Sequence, residues 1–305
     1  MAPLVWLVTG ATSGLGRTLV SHIINRGDKV VATGRNAEQR LADLRSENVG
    51  VVDLDVSEPK DEVAKQVKKA WDVFGRVDVL INNAGVSQPK ALEEGSDEYT
   101  QNLFNVNVFG PVRVAQAILP LFRQQGSGFI AFIGAGLSWG GIPFLNFYSA
   151  AKAALNAFVE GFRNETRNQP IQCTILEPGG FNSELGKARA GSNEGFGAYQ
   201  PVIEPYVELW NEVLGVFVNE ITPNVPGEIE KFAKTILELL GDEETRGKLP
   251  VRVILGSDAV GVVKQKCEEQ LSLLEEYKDV SKRTDKDGAE NLDYSGTVNL
   301  TSILR

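Results

Sequence analysis

Tyr148 and Lys152 stand four residues apart in Tyr148-Ser149-Ala150-Ala151-Lys152, a spacing that puts both on one face of a helix. A phenol with a pKa of about 10 exchanges protons poorly at neutral pH. An ammonium beside it favours the phenolate and lowers that value. Such a pair can pass a proton to or from a carbonyl or hydroxyl oxygen. Alone, the pattern is more often two residues on a helix surface, so its meaning depends on what else the chain carries.

A second group of residues suits phosphate. Thr9-Gly10-Ala11-Thr12-Ser13-Gly14-Leu15-Gly16 follows the apolar run Leu4-Val5-Trp6-Leu7-Val8 and precedes a helical pattern. Glycines let the backbone turn tightly and approach a pyrophosphate, whose charge is met by N–H groups at the helix start. Thr12 and Ser13 add hydroxyl donors. Placed after the first strand of a βα series, this turn predicts a dinucleotide site.

The next strand candidate ends Ala32-Thr33-Gly34-Arg35-Asn36. An acid at its end would bond a ribose 2′-hydroxyl and repel a 2′-phosphate. Gly34 holds that place, and Arg35 offers a planar, permanent charge suited to phosphate. A solvated loop arginine is the plainer alternative. Together the two residues predict NADP(H).

Other chemistries lack their residues. His22 is the only histidine, which excludes Ser–His–Asp catalysis and disfavours a histidine metal site; no metal is expected. Cys173 and Cys267 show no ligand spacing and suit a reducing compartment. Glu177, closing an apolar strand, is expected to anchor structure or a loop rather than act as a base. A net charge of −9 provides no global basic field for nucleic acid. The first apolar run is too short for a signal core or a membrane span, so no membrane partner and a cytoplasmic location are expected.

These residues need elements to hold them. Apolar runs at 4–9, 29–33, 49–54, 78–82, 128–133 and 171–176 alternate with helical patterns at 14–26, 37–47, 58–74, 97–125 and 145–167. Pro111 and Pro120 predict a kink or break in the fourth helix. Strands without clean polar alternation are covered on both faces. The expected fold is α/β, a single Rossmann-type doubly wound parallel sheet with a small helical substrate lid and a C-terminal extension. One domain spans 1–280, with the lid at about 180–225, and 281–305 forms an irregular tail. Helices at 201–220, 226–241 and 258–280 and a strand at 251–255 complete the pattern.

The order of motifs resembles the short-chain dehydrogenases/reductases. Besides the turn at Gly10, Gly14 and Gly16, the chain carries Asp55-Val56 after the third strand and Asn82-Asn83-Ala84-Gly85 after the fourth. It also has Asn107 in Val106-Asn107-Val108-Phe109-Gly110, the Tyr148–Lys152 pair and Pro178-Gly179. The likeness covers about 1–185. Leu249-Pro250-Val251-Arg252 and Leu255-Gly256-Ser257-Asp258 resemble extended members related to hydroxysteroid dehydrogenases.

The resemblance implies roles. Asp55 and Val56 would touch adenine, Asn83, Ala84 and Gly85 would line the adenosine side, and Asn36 would lie beside Arg35. Pro178, Gly179 and Phe181 would contact the cofactor. Lys152 would hold the nicotinamide ribose, and Asn107 would complete a water-linked proton path. Tyr148 would exchange a proton as the nicotinamide exchanges hydride.

Family members normally carry a serine where this chain has Ala135, in Ile133-Gly134-Ala135-Gly136-Leu137-Ser138. Ser138 could substitute if the loop bends differently, as could a water or a substrate that supplies its own polarisation. Phe181, Leu185, Phe196, Tyr199, Tyr206, Trp210 and Phe217, with Phe144 and Trp139, suit either a hydrophobic substrate lid or subdomain packing. The lead expectation is an NADPH-dependent ketoreductase, or the reverse dehydrogenase, acting on a bulky apolar molecule as a homo-dimer or homo-tetramer. Alternatives are a same-fold isomerase, cyclase or imine reductase adapted to Ala135, and a non-catalytic NADP(H)-sensing protein.

Overall fold

A computed structural model describes residues 3–181, 199–289, 292–293 and 295. Its strands are β1 (Val5–Val8), β2 (Lys29–Gly34), β3 (Val49–Asp53), β4 (Val79–Asn82), β5 (Gly128–Ile133), β6 (Ile171–Pro178) and β7 (Arg252–Leu255). The helices are α1 (Gly14–Asn25), α2 (Ala37–Arg40), α3 (Lys60–Asp72), α4 (Asp97–Phe104), α5 (Gly110–Gln125) and α6 (Asn146–Glu165). After β6 come α7 (Glu204–Val216), α8 (Ile229–Leu240), α9 (Glu243–Gly247), α10 (Ser257–Glu276) and α11 (Lys278–Lys282).

The seven strands form one parallel sheet in the order β3-β2-β1-β4-β5-β6-β7. Chain direction across the sheet reverses between β1 and β4, and ligands of such sheets bind outside the strand ends at that switch. Burial on both faces explains the continuous apolar strands. In β1, Trp6 belongs to a core with Leu19 and Ile23 of α1 and Phe232 and Ile236 of α8. Leu7 points to the opposite core, with Val67 of α3, Ile118 and Phe122 of α5, and Leu155 of α6.

Three expected helices differ in detail. The segment expected as a helix over 37–47 is one turn, α2, and a 3₁₀ turn at Ala42–Leu44. The run over 97–125 breaks at a π-turn, Asn105–Phe109. Pro111 follows directly on that π-turn, in which the Gly110 N–H donates to the Asn105 carbonyl, whereas Pro120 lies inside α5 without ending it. The last helical run divides between α10 and α11. All of 182–198, including Leu185 and Phe196, and most of the terminal tail lie outside the described residues.

Candidate functional site

β1 delivers the chain into the turn at Gly10, whose φ is +67°, followed by Gly14 at +50°. A β-carbon on Gly10 would fall 2.8 Å from Ala84 Cα, and one on Gly16 would strike the Gly10 carbonyl. The backbone therefore lies closer to the switch point than any side chain permits. Ser13 caps α1 in an extended conformation with no side-chain cap bond, leaving its hydroxyl and the first N–H groups of the helix for an anion. Leu15 packs into the core instead. Thr9 Oγ1 accepts from the N–H groups of Asn83 (3.0 Å) and Ala84 (3.1 Å), and Asn83 Nδ2 donates to the Thr9 carbonyl at 3.0 Å. These bonds tie the exits of β1 and β4 together.

The end of β2 meets the same turn. A β-carbon on Gly34 would fall 2.9 Å from Thr12 Cγ2, so any larger residue crowds the cradle. Arg35 and Asn36 are exposed, Asn36 at φ +51°, and Arg35 makes no ion pair among the described residues. Arg40, which sequence reasoning missed, donates to the Thr12 carbonyl at 3.4 Å. Its signal is a second arginine one short helix beyond Arg35. Asp55 Oδ1 accepts from Ser57 N (2.9 Å) and Oγ (2.6 Å), which rigidifies its own turn. Val56 packs under Gly110.

α6 opens at Asn146 and carries Tyr148 and Lys152 inward; they are 6% and 4% exposed. Lys152 Nζ donates to the Ile133 carbonyl at 2.8 Å and sits 5.8 Å from the Tyr148 ring centre. Burial pulls the Lys152 ammonium down to about 8. Burial also pushes the Tyr148 phenol well above its ordinary range. The lowering expected from the neighbouring ammonium is not what the folded chain shows; desolvation, which penalises the phenolate, sets the direction. Among the described residues the Tyr148 hydroxyl has no hydrogen-bond partner.

Asn107 lies in the π-turn, fully buried. Its Nδ2 donates to the carbonyls of Val86 (2.8 Å) and Leu103 (3.0 Å), and its Oδ1 accepts from Val86 N–H at 3.2 Å. A β-carbon on Gly85 would come 3.1 Å from Asn107 Oδ1 and 3.8 Å from Lys152 Nζ. Glycine there lets the β4 exit run between the two.

Beside Tyr148 the wall is apolar. Ala135 is buried with Leu145 and Tyr148, and Leu137, Ile142 and Phe217 pack on them. The hydroxyl of Ser138 turns elsewhere. It donates to Glu177 Oε1 at 2.7 Å and accepts from Asn156 Nδ2 at 2.8 Å. Asn156 Nδ2 (2.7 Å) and Trp139 Nε1 (3.1 Å) also donate to Glu177 Oε1. The replacement expected of Ser138 therefore finds its proton already committed. Asn156, one turn beyond Lys152 on α6, is a further residue that sequence reasoning missed; its helical spacing was the available signal.

The aromatic residues divide. Phe144, held at φ +66°, stacks edge-on with Trp210 at 5.0 Å and with Tyr206 at 6.3 Å. Tyr199 joins them; its hydroxyl accepts from Ala91 N–H at 2.9 Å and donates to Glu94 Oε2 at 2.6 Å. This cluster packs α7 onto the loop after β4, so Phe144, Tyr199, Tyr206 and Trp210 take the subdomain-packing role of the two that the sequence allowed. Phe217 alone of the described lid aromatics packs beside Tyr148. Phe181 stacks on Phe232 at 4.5 Å, and Pro178 and Gly179 close β6 beside it. His22 pairs with Glu230 on α8 at 2.6 Å.

Comparison with known proteins agrees with this geometry. Residues 4–193 match the model of the short chain dehydrogenase family. The chain is 33% identical to oxidoreductase BOA17 of Botryotinia fuckeliana over 91% of its length and 97% of that protein's. It is 36% identical to 11-beta-hydroxysteroid dehydrogenase 1A of Arabidopsis thaliana, over 63% of this chain and 56% of the relative. The crystal structure of a short-chain dehydrogenase from Streptomyces avermitilis superposes with a TM-score of 0.78 at 32% identity, over 93% of this chain and 100% of the other. Solved structures in complex with NAD and with NADP share the fold. Among the described residues no helix is long and apolar enough to cross a membrane. A glycine cradle at the switch point and a buried tyrosine–lysine pair, on a chain matched over these lengths, make this protein a member of the short-chain dehydrogenase family and an oxidoreductase of that type.

Proposed function

We propose that the chain is an NADPH-dependent reductase of a carbonyl on a bulky apolar small molecule, or catalyses the reverse oxidation. The carrying observation is Tyr148: a buried phenol, with a hydroxyl that has no partner among the described residues, one helical turn from Lys152. A phenol held protonated by burial suits the acid of carbonyl reduction. The cradle suits a dinucleotide because Gly10 and Gly16 pack tightly against each other, Asn83 and Ala84 and so aim the uncapped start of α1 at the switch point. Gly34 and the uncommitted Arg35 favour the 2′-phosphate form.

When bound, the nicotinamide supplies or accepts the hydride. Tyr148 Oη gives the proton to the substrate oxygen. Lys152 would hold the nicotinamide ribose and Asn107 would complete a water-linked proton path through it, while the Ala135–Leu145–Phe217 wall limits water beside Tyr148. Exposed Phe109 (46%) and Phe158 (50%), at the start of α5 and on α6, support pairing of these helices in a dimer or tetramer. Tyr148→Phe is expected to cut NADPH oxidation with a ketone substrate by roughly 10²–10⁴-fold; full activity would refute the assignment.

Ala135 favours a second reading, reduction of a group that needs only one donor, such as an imine or an already activated carbonyl. Hydride transfer to a cyclic imine that exceeds transfer to the matched ketone would select it.

A further inference from the structure

A second constrained region lies where α10 begins. Gly256 turns the chain at φ +116°, a conformation side-chain-bearing residues rarely adopt. That turn brings Asp258 under the exit of β6. Asp258 Oδ2 accepts from Gly180 N–H at 2.6 Å, while Gly179 N–H donates to the Leu255 carbonyl at 2.8 Å. The carboxylate also fills the space beside Gly179, where a β-carbon would fall 2.6 Å from its carboxyl carbon.

The next residue braces a second loop. A β-carbon on Gly136 would fall 2.9 Å from Ala259 Cβ and 3.4 Å from the Pro178 carbonyl oxygen. One turn of α10 therefore supports both the Pro178-Gly179-Gly180 exit and the loop that carries Ala135 against Tyr148. Residues 256–259 fall outside the 4–193 matched by the family model. Two successive glycines have no side chains of their own to fix the exit, so the hold must come from outside it. A carboxylate accepting a backbone N–H is a strong, charge-assisted hold.

We infer that Asp258 is a positioning residue, which sets the β6 exit against the nicotinamide end of the cofactor and leaves the phosphate cradle untouched. The inference rests on the dinucleotide site proposed above. It separates the two ends of one ligand: the cradle at Gly10–Gly16 binds phosphates without Asp258, whereas the nicotinamide end depends on it.

The test compares NADPH with 2′-phospho-ADP-ribose, the same molecule without its nicotinamide, by titration calorimetry on the full chain. Asp258→Ala is expected to bind NADPH roughly tenfold more weakly, the loss of one charge-assisted bond, and 2′-phospho-ADP-ribose within about twofold of wild type. Asp258→Asn keeps an oxygen acceptor and should lie between Asp258→Ala and wild type. If Asp258→Ala does not fold, Asp258→Asn carries the same comparison, with a smaller loss confined to NADPH. Unchanged NADPH affinity in a folded variant, or equal weakening of both ligands, overturns the inference while the proposed function stands. A wild-type chain that binds neither ligand overturns both.

Discussion

The cofactor side and the substrate side of this protein are built from different materials. Around Gly10, Gly16 and Gly34 the determining contacts are with backbone or with two short side chains, Asn83 and Thr12. Around Tyr148 they are side chains from distant segments: Ala135 after β5, Leu145 before α6 and Phe217 after α7. A site made of backbone leaves its mark as glycines at fixed spacing. A site made of converging side chains leaves none until the chain is folded.

After Tyr148→Phe, the largest expected effect breaks the comparison at its catalytic end. Lys152→Met should lower kcat/KM by roughly 10²–10³-fold, yet raise Tm at pH 7. Burial holds the Lys152 pKa at about 8 in the folded chain, against 10.5 for the unperturbed group. Between those values the unfolded state binds more protons, so stability rises with pH through that window, and below it the buried ammonium costs stability. The Tm advantage of the variant should therefore shrink as the pH climbs from 8 to 10.5. A variant less stable than wild type at pH 7 would show that the bond to the Ile133 carbonyl outweighs the burial cost.

Ala135→Ser tests the missing donor and should raise kcat for an unactivated ketone by up to roughly 10²-fold. An unchanged rate would mean that a water or a backbone group already polarises the oxygen. On the cofactor side, Arg35→Ser should raise the KM for NADPH by about 10–30-fold and leave that for NADH nearly unchanged; equal effects on both cofactors would remove Arg35 from 2′-phosphate recognition. The smallest effect sharpens the view of α7 as packing. Tyr199→Phe loses its bonds to Ala91 and Glu94 and should cost about 1–2 kcal/mol in urea unfolding, with no change in NADPH affinity.

Much of the fold was legible because it rests on local patterns. The seven strands, the Gly10 turn and the Tyr148–Lys152 spacing follow from apolar runs, φ requirements and helical period. The irregularity in the 97–125 helix was expected at its prolines and takes the form of a π-turn at Asn105–Phe109, directly before Pro111, where the buried Asn107 side chain bonds back to Leu103 and across to Val86. Arg40, Asn156 and Asp258 were not singled out as site residues. Each is an ordinary polar residue whose partner lies 28, 18 or 78 positions away.

The sequence by itself determined that a glycine turn after the first strand, a strand series and a tyrosine–lysine pair at helical spacing exist in this chain, since glycine conformations and helical spacing are properties of short segments. Only the tertiary structure decided how they act together. Burial, which no single segment controls, raises the Tyr148 phenol and lowers the Lys152 ammonium. Packing against Glu177 and Asn156 turns the Ser138 hydroxyl away from the Ala135 wall. Those outcomes depend on which surfaces meet when the sheet closes, and on water being excluded from the places where they do.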